Sequence, residues 1–185
     1  MIIFVFCISK KQLNKQLLQL IYKEFLEQSA YRIELNYPRI KTCIELLSDE
    51  EVWQKPNASS NSIGNLVLHL CGNMTQYIIS ALGRNEDKRN RDSEFSATEG
   101  YSAAELLEKM KSVTEDCVKI VKGLSEQQLM AQYEVQGYKL SGIAVIVHVT
   151  EHYSYHTGQI VFLTKSLKDI DTGFYKGKNL NVKNK

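Results

Sequence analysis

Proline is nearly missing from this sequence: the 185 residues include two, Pro38 and Pro56, both in the first third. Glycine is also sparse, at 10 residues, so long stretches are free of the two residues that most often interrupt helices. Cysteine occurs four times, at Cys7, Cys43, Cys71 and Cys117, never as a C-x-x-C pair. That spacing excludes a zinc ribbon and a thioredoxin-like motif and leaves reduced, buried thiols as the expectation. No charge sign dominates either. With 23 basic and 21 acidic residues the formal charge is +2, without the electrostatic footprint of a dedicated nucleic-acid binder, and no nucleic-acid partner is expected. Long hydrophobic runs are absent as well. The apolar stretch MIIFVFCIS at Met1–Ser9 is far short of the roughly 20 residues that span a bilayer. It also lacks the basic leading segment and small-residue cleavage site of a signal peptide. No membrane association is expected, and the chain reads as cytoplasmic. What remains is a composition with 43% apolar and 24% charged residues, that of one folding domain with a full core.

Four helical stripes organise the chain. Leu26, Ala30, Ile33, Tyr37, Ile40, Ile44 and Leu47 recur at spacings of four and three, the seam of a helix in a bundle. Pro38 falls inside this stripe and predicts a kink near Tyr37. A capping box at Ser48–Glu51 opens a short turn, and Trp53 after it reads as core or as a cap on the bundle end. The second helix runs from about Ser62 to Gly83, with Ile63, Val67, Leu70, Met74, Tyr77 and Ala81 as its seam. Beside that seam lies a polar ridge, His69, Asn73, Gln76 and Ser80, stacked along one line of the helix. Residues 83–100 carry nine charges and no hydrophobic period, which predicts a solvated connection.

Ser102 and Glu105 form a second capping box, opening a third helix along Leu106, Met110, Val113, Cys117, Ile120 and Leu124. Ser125–Gln128 repeats the cap for one short turn, and Tyr133–Leu140 alternates around Gln136-Gly137 as a small hairpin. The fourth helix spans about Ser141 to Lys168, with Ile146, Val149, Tyr153, His156, Ile160, Leu163 and Leu167 as its seam. The pattern is an all-α four-helix bundle covering residues 18–168, with an N-terminal extension over 1–17 and a loose tail over 169–185. The loops 55–61 and 129–141 read as lying together at one open end of the bundle. A small bundle of modest charge with residual apolar flanks is expected to pair as a homodimer.

The four histidines are confined to two helices: His69 on the second, and His148, His152 and His156 on the fourth. Steps of four residues advance about 40° around a helix, so the last three climb one slowly turning face. Two imidazoles of such a ladder, joined by a third from a facing helix, make a three-ligand metal site with room for water or substrate. His69 is the one histidine placed to be that third ligand. A zincin protease is excluded, because Val149 and Tyr153 stand where H-E-x-x-H needs glutamate. Burying several imidazoles without partners is costly, which favours a metal over a set of unrelated core histidines.

The segments NSIGNLVLHLCGN (61–73) and HVTEHYSYHTGQIV (148–161) resemble the DinB-like, or YfiT-like, superfamily of metal proteins. The resemblance runs from about Leu26 to Leu167 and takes in the W-Q-K-P stretch at 53–56. It implies an up-down-down-up bundle with long connections and, as ligands of one divalent transition ion (zinc or nickel), His69, His152 and His156. His148, Gln159 and Asn73 are then lining or supporting residues, and Gly158 a point of close helix approach. Some relatives transfer low-molecular-weight thiols such as bacillithiol or mycothiol, so a small thiol as cofactor and an electrophile as partner are implied. Thiol transfer, metal-assisted hydrolysis and a non-catalytic, metal-stapled interaction bundle all remain open at this stage, and no catalytic residue is assigned.

Overall fold

The computed structural model describes residues 10–184; the expectations for Met1–Ser9, including Cys7, lie outside them. Eight α-helices, one π-helical segment and one two-stranded hairpin make up the described residues. Helices α1 (Lys10–Glu34) and α2 (Asn36–Ile44) form the first long stretch. The break comes at Leu35, earlier than the kink predicted near Tyr37. Pro38 has no N–H to donate to the Glu34 carbonyl, and its ring clashes there, so α1 stops at the residue four before it. The Asn36 side chain donates to the Arg32 carbonyl at 2.9 Å and satisfies the frayed turn. The apolar stripe nevertheless continues across the break, with Leu26, Ala30, Ile33, Ile40 and Ile44 all buried.

Helix α3 (Asp49–Trp53) starts on the Ser48 capping box. The second long stretch begins at Ser62, whose hydroxyl and Asn65 cap each other, and runs as α4 (Ile63–Met74). From Thr75 to Leu82 it opens into a π-helix, closed by the Gly83 amide donating to the Ile78 carbonyl at 2.9 Å. A regular α-helix over this span was the expectation; apolar periodicity does not distinguish the two spacings over eight residues. Helix α5 (Arg91–Ser96) lies in the connection, α6 (Ala103–Gly123) is the third long helix, and α7 (Glu126–Met130) is the predicted short turn. Strands β1 (Gln132–Val135) and β2 (Tyr138–Ser141) pair antiparallel through a two-residue turn. Gln136 and Gly137 both take positive φ there, 52° and 80°, as a hairpin turn of this length requires. Helix α8 (Gly142–Lys168), capped by Ser141, completes the bundle.

Cross-links at the two ends fix the direction of each helix. At one end Trp53 donates its indole N–H to the Tyr101 carbonyl at 2.9 Å, the Ala103 amide donates to Asp49 at 2.7 Å, and Lys168 pairs with Glu51 at 2.9 Å. This end therefore gathers the exit of α2, the starts of α4 and α6, and the finish of α8. At the other, the Tyr77 hydroxyl donates to Gln136 at 3.0 Å, joining the foot of the π-helix to the hairpin before α8. The order is up-down-down-up. It also separates the loops 55–61 and 129–141, expected together, to opposite ends. Helices α1 and α2 pack on α6 and α8, and α4 packs on both, around a core that includes Leu70, Met74, Leu106, Met110, Cys117, Ile146, Val149 and Tyr153.

Three regions gain definition. Trp53 is half-buried and lies against Gly64, where a Cβ would come within 2.7 Å of its ring, so it closes the bundle end. The tail is docked at its start: Phe174 packs on the core and Arg39 lies 5.9 Å from its ring, while residues 175–184 are exposed. At the other terminus α1 projects past the core, with Leu13, Leu17, Leu18, Leu20 and Ile21 each more than half exposed. No helix among the described residues is long and apolar enough to cross a membrane.

Candidate metal centre

Helices α4 and α8 pack against each other midway along the bundle, and that contact brings three histidines together. The Nε2 atom of His152 lies 3.1 Å from Nε2 of His69 and 3.1 Å from Nε2 of His156. All three rings offer a ligand atom within 4.8 Å of one another. His69 is buried, whereas His152 and His156 are half-buried, so the cluster lies at the boundary between core and solvent.

The other ring nitrogens determine what this convergence means. His69 Nδ1 lies 2.9 Å from a Glu94 carboxylate oxygen, and His156 Nδ1 lies 2.6 Å from Gln159 Oε1. Both partners are acceptors, so both rings carry their proton on Nδ1 and present an Nε2 lone pair to the same point. His152 Nε2 faces both lone pairs and can donate a proton to only one of them. Its own Nδ1 is buried without a partner. Three lone-pair nitrogens this close suit a cation: ligands about 2.0–2.1 Å from a tetrahedral zinc lie roughly 3.3 Å apart. The donor set, three neutral imidazoles, fits a borderline transition ion and not calcium or magnesium.

Protonation is suppressed around this point. Burial, followed by the neighbouring His156 and His69, pushes His152 down to about 3. Burial also lowers His148 and His156, the latter against the opposing hydrogen bond to Gln159. His152 and His156 are thus kept in the neutral form that ligation requires.

His148 stands apart from the three. Its Nε2 lies 3.2 Å from the Asn73 side-chain amide, and its ring stacks on Tyr77 with centroids 4.2 Å apart and, more distantly, on His152 at 5.4 Å. Asn73 therefore reaches His148 rather than the converging nitrogens, and its Oδ1 has no partner. Gln159 touches His156 directly. Gly158, expected at a close helix approach, has nothing within 4 Å of where a Cβ would be. It lines an open cavity of about 500 Å³ with Ser59, Asn61, Tyr155, Gln159 and Phe162.

The charged connection supplies what sequence reading missed. Glu94 is buried and Arg89 grips it with two hydrogen bonds, 2.7 Å from Nε and 2.9 Å from Nη2; their side chains are only 8% and 3% exposed. Burial alone would raise the Glu94 pKa, but the Arg89 and His69 hydrogen bonds and charges outweigh it and hold the carboxyl below its usual range. Gly72 makes the seat: a Cβ there would fall onto the Glu94 carboxylate and within 2.9 Å of Arg89 Nε. Apart from Asn73, the polar ridge along α4 and the π-helix faces this connection. Ser80 donates to the Glu86 carbonyl, Gln76 bonds both Asp87 and Arg89, and Asn65 donates to the carbonyls of Glu94 and Ala97. The one sequence signal was Phe95, a lone aromatic in a charged run; its ring packs 4.7 Å from that of His69.

Residues 21–174 match the family described as protein of unknown function (DUF1572). Among solved structures, the chain is similar to a DinB-like protein from Bacillus subtilis, with 24% identity, a TM-score of 0.59, and coverage of 76% of this chain and 91% of that one. A DinB-like protein from Bacillus cereus is 17% identical over 77% and 90% of the two chains, with a TM-score of 0.59. A conserved protein from Enterococcus faecalis superposes with a TM-score of 0.65 at 13% identity, over 75% and 94%. None of the curated proteins matches.

Proposed function

The chain belongs to the DUF1572 family and has the DinB-like fold, and from that premise we propose that it holds one divalent transition ion, zinc or nickel, on His69, His152 and His156 and acts as a small-thiol S-transferase. The observation that carries the metal reading is the convergence of three Nε2 atoms, two of them held as lone pairs by Glu94 and Gln159. Bound there, such an ion supplies a Lewis-acidic point that lowers the pKa of a coordinated thiol or water.

The thiols among the described residues are poor nucleophiles, which favours a thiol brought from outside. Cys43, Cys71 and Cys117 are all buried, and burial pushes Cys71 up to about 12 and raises the other two. Gln159 lies between His156 and the cavity over Gly158, so a substrate in that cavity would lie against a residue that touches the site. The cavity wall of Ser59, Asn61, Tyr155 and Phe162 presents hydroxyls, an amide and aromatic rings, and carries no charged side chain. It suits a largely uncharged electrophile.

The test has two stages. Metal analysis of the purified protein, and after zinc or nickel loading, should give one ion per chain, lost when any one of the three histidines is replaced. Loaded protein should then consume a low-molecular-weight thiol in the presence of a panel of electrophiles. A protein that takes up no ion overturns the metal reading. Uptake without thiol turnover overturns the transferase and leaves hydrolysis, assayed on ester and amide substrates, or a stapling role.

A further inference from the structure

We propose that Arg89 and Glu94 are positioning residues that set the His69 tautomer, so that the metal site and the closure of the crossover connection, residues 84–97, are coupled. The coupling to metal rests on the three-histidine reading; the tautomer claim does not. His69 Nδ1 has two neighbours of opposite character, the Glu94 carboxylate at 2.9 Å and the Arg89 guanidinium Nη2 at 3.2 Å. The carboxylate accepts a proton and the guanidinium can only donate one. While Arg89 is engaged on Glu94 through Nε and Nη2, the carboxylate prevails, the His69 proton stays on Nδ1, and Nε2 is free. Without the carboxylate, Arg89 is left to donate to Nδ1, and the proton moves to Nε2, the atom that faces His152.

The same two side chains hold the connection to the bundle. Polar side chains join it to the second long stretch from both sides: Asn65 and His69 on α4 and Gln76 and Ser80 on the π-helix reach out, and Asp87, Arg89 and Glu94 reach back. Gly72 leaves the space into which Glu94 and Arg89 settle. A ligand that favours the Nε2 lone pair of His69 therefore also favours the Glu94 contact and, with it, the closed connection. By reciprocity a closed connection raises affinity at His69.

The experiment compares the full chain with Glu94→Ala, which removes the acceptor, and Arg89→Gln. Nitrogen-15 NMR of the imidazoles reads the tautomer without metal, chelator competition reads zinc affinity, and hydrogen exchange reads protection of 84–97 with and without zinc. In the parent, His69 should be the Nδ1–H form, and zinc should slow exchange in the connection at least several-fold. Glu94→Ala should shift His69 to the Nε2–H form, weaken zinc binding by about 10–100-fold and abolish the zinc-dependent protection. Arg89→Gln should keep the Nδ1–H form while loosening the connection, and it carries the test should Glu94→Ala fail to fold. An unchanged tautomer in Glu94→Ala, or a zinc-loaded connection that exchanges as fast as the metal-free one, would overturn the proposal. Should the parent bind no zinc, the three-histidine reading and its coupling to the connection fail, and the metal-free tautomers alone decide the positioning claim.

Discussion

At the residue scale, His69, His152 and His156 are not equivalent, although all three present Nε2 to one point. Two are pinned through Nδ1, and His152, between them, is not. Replacing any one of the three by Ala should reduce zinc or nickel content to a small fraction of the parent's. His148→Ala should leave most of it, because that ring bonds Asn73 and stacks on Tyr77 instead; metal retained in His156→Ala but lost in His148→Ala would reassign the ligands. The pH dependence of the metal-free protein follows from His152. Its folded pKa, about 3, lies below the ordinary 6.5, so the unfolded chain takes up its proton first as pH falls. Stability from this group is complete above about pH 6.5 and is lost progressively toward pH 3, with Glu94 adding a further loss below the usual carboxylate range. Urea titrations at several pH values should show that slope, and His152→Ala should flatten it. Gly72→Ala, which sets a methyl against the Glu94 carboxylate, should cost about 1–3 kcal/mol and weaken metal binding as well, measured by denaturation and chelator competition.

At the element scale, helix starts were legible because they are written in single residues. Ser48, Ser62, Ser102, Ser125 and Ser141 each cap the helix that follows, and replacing Ser62 by Ala should cost about 1 kcal/mol, measurable by thermal unfolding. The Gln136-Gly137 turn was legible for the same reason. Other features depend on contacts distant in sequence. The connection 83–100 shows no apolar period because what it buries is an ion pair, and pattern reading follows greasy side chains, not a glutamate compensated by an arginine. The π-helix arises where α4 meets α8 and the hairpin, and nothing local in TQYIISAL demands it. The three histidines were visible as a spaced set, but Glu94, Arg89 and Gly72, which position one of them, became visible only when the chain had folded over α4.

At the scale of the whole molecule, the core of the described residues begins at Leu26, and the described side chains of α1 up to Ile21 are all exposed. Replacing Leu13, Leu17 or Leu20 by Ser should therefore change the unfolding free energy by no more than about 0.5 kcal/mol each, measured by urea titration. Light scattering on the full chain is expected to give a dimer, and a monomer at tens of micromolar would remove that expectation without touching the metal site. His69 and His152 lie 83 positions apart in the chain. An ion gripped by both is bound by the folded chain alone, because the unfolded chain must first close a loop of that length to bring the two rings together. At free ion about a hundredfold above its dissociation constant it would add about 2.7 kcal/mol to the native state. In an organism where zinc or nickel rises and falls, this chain's lifetime against proteolysis would rise and fall with it, whatever reaction it performs.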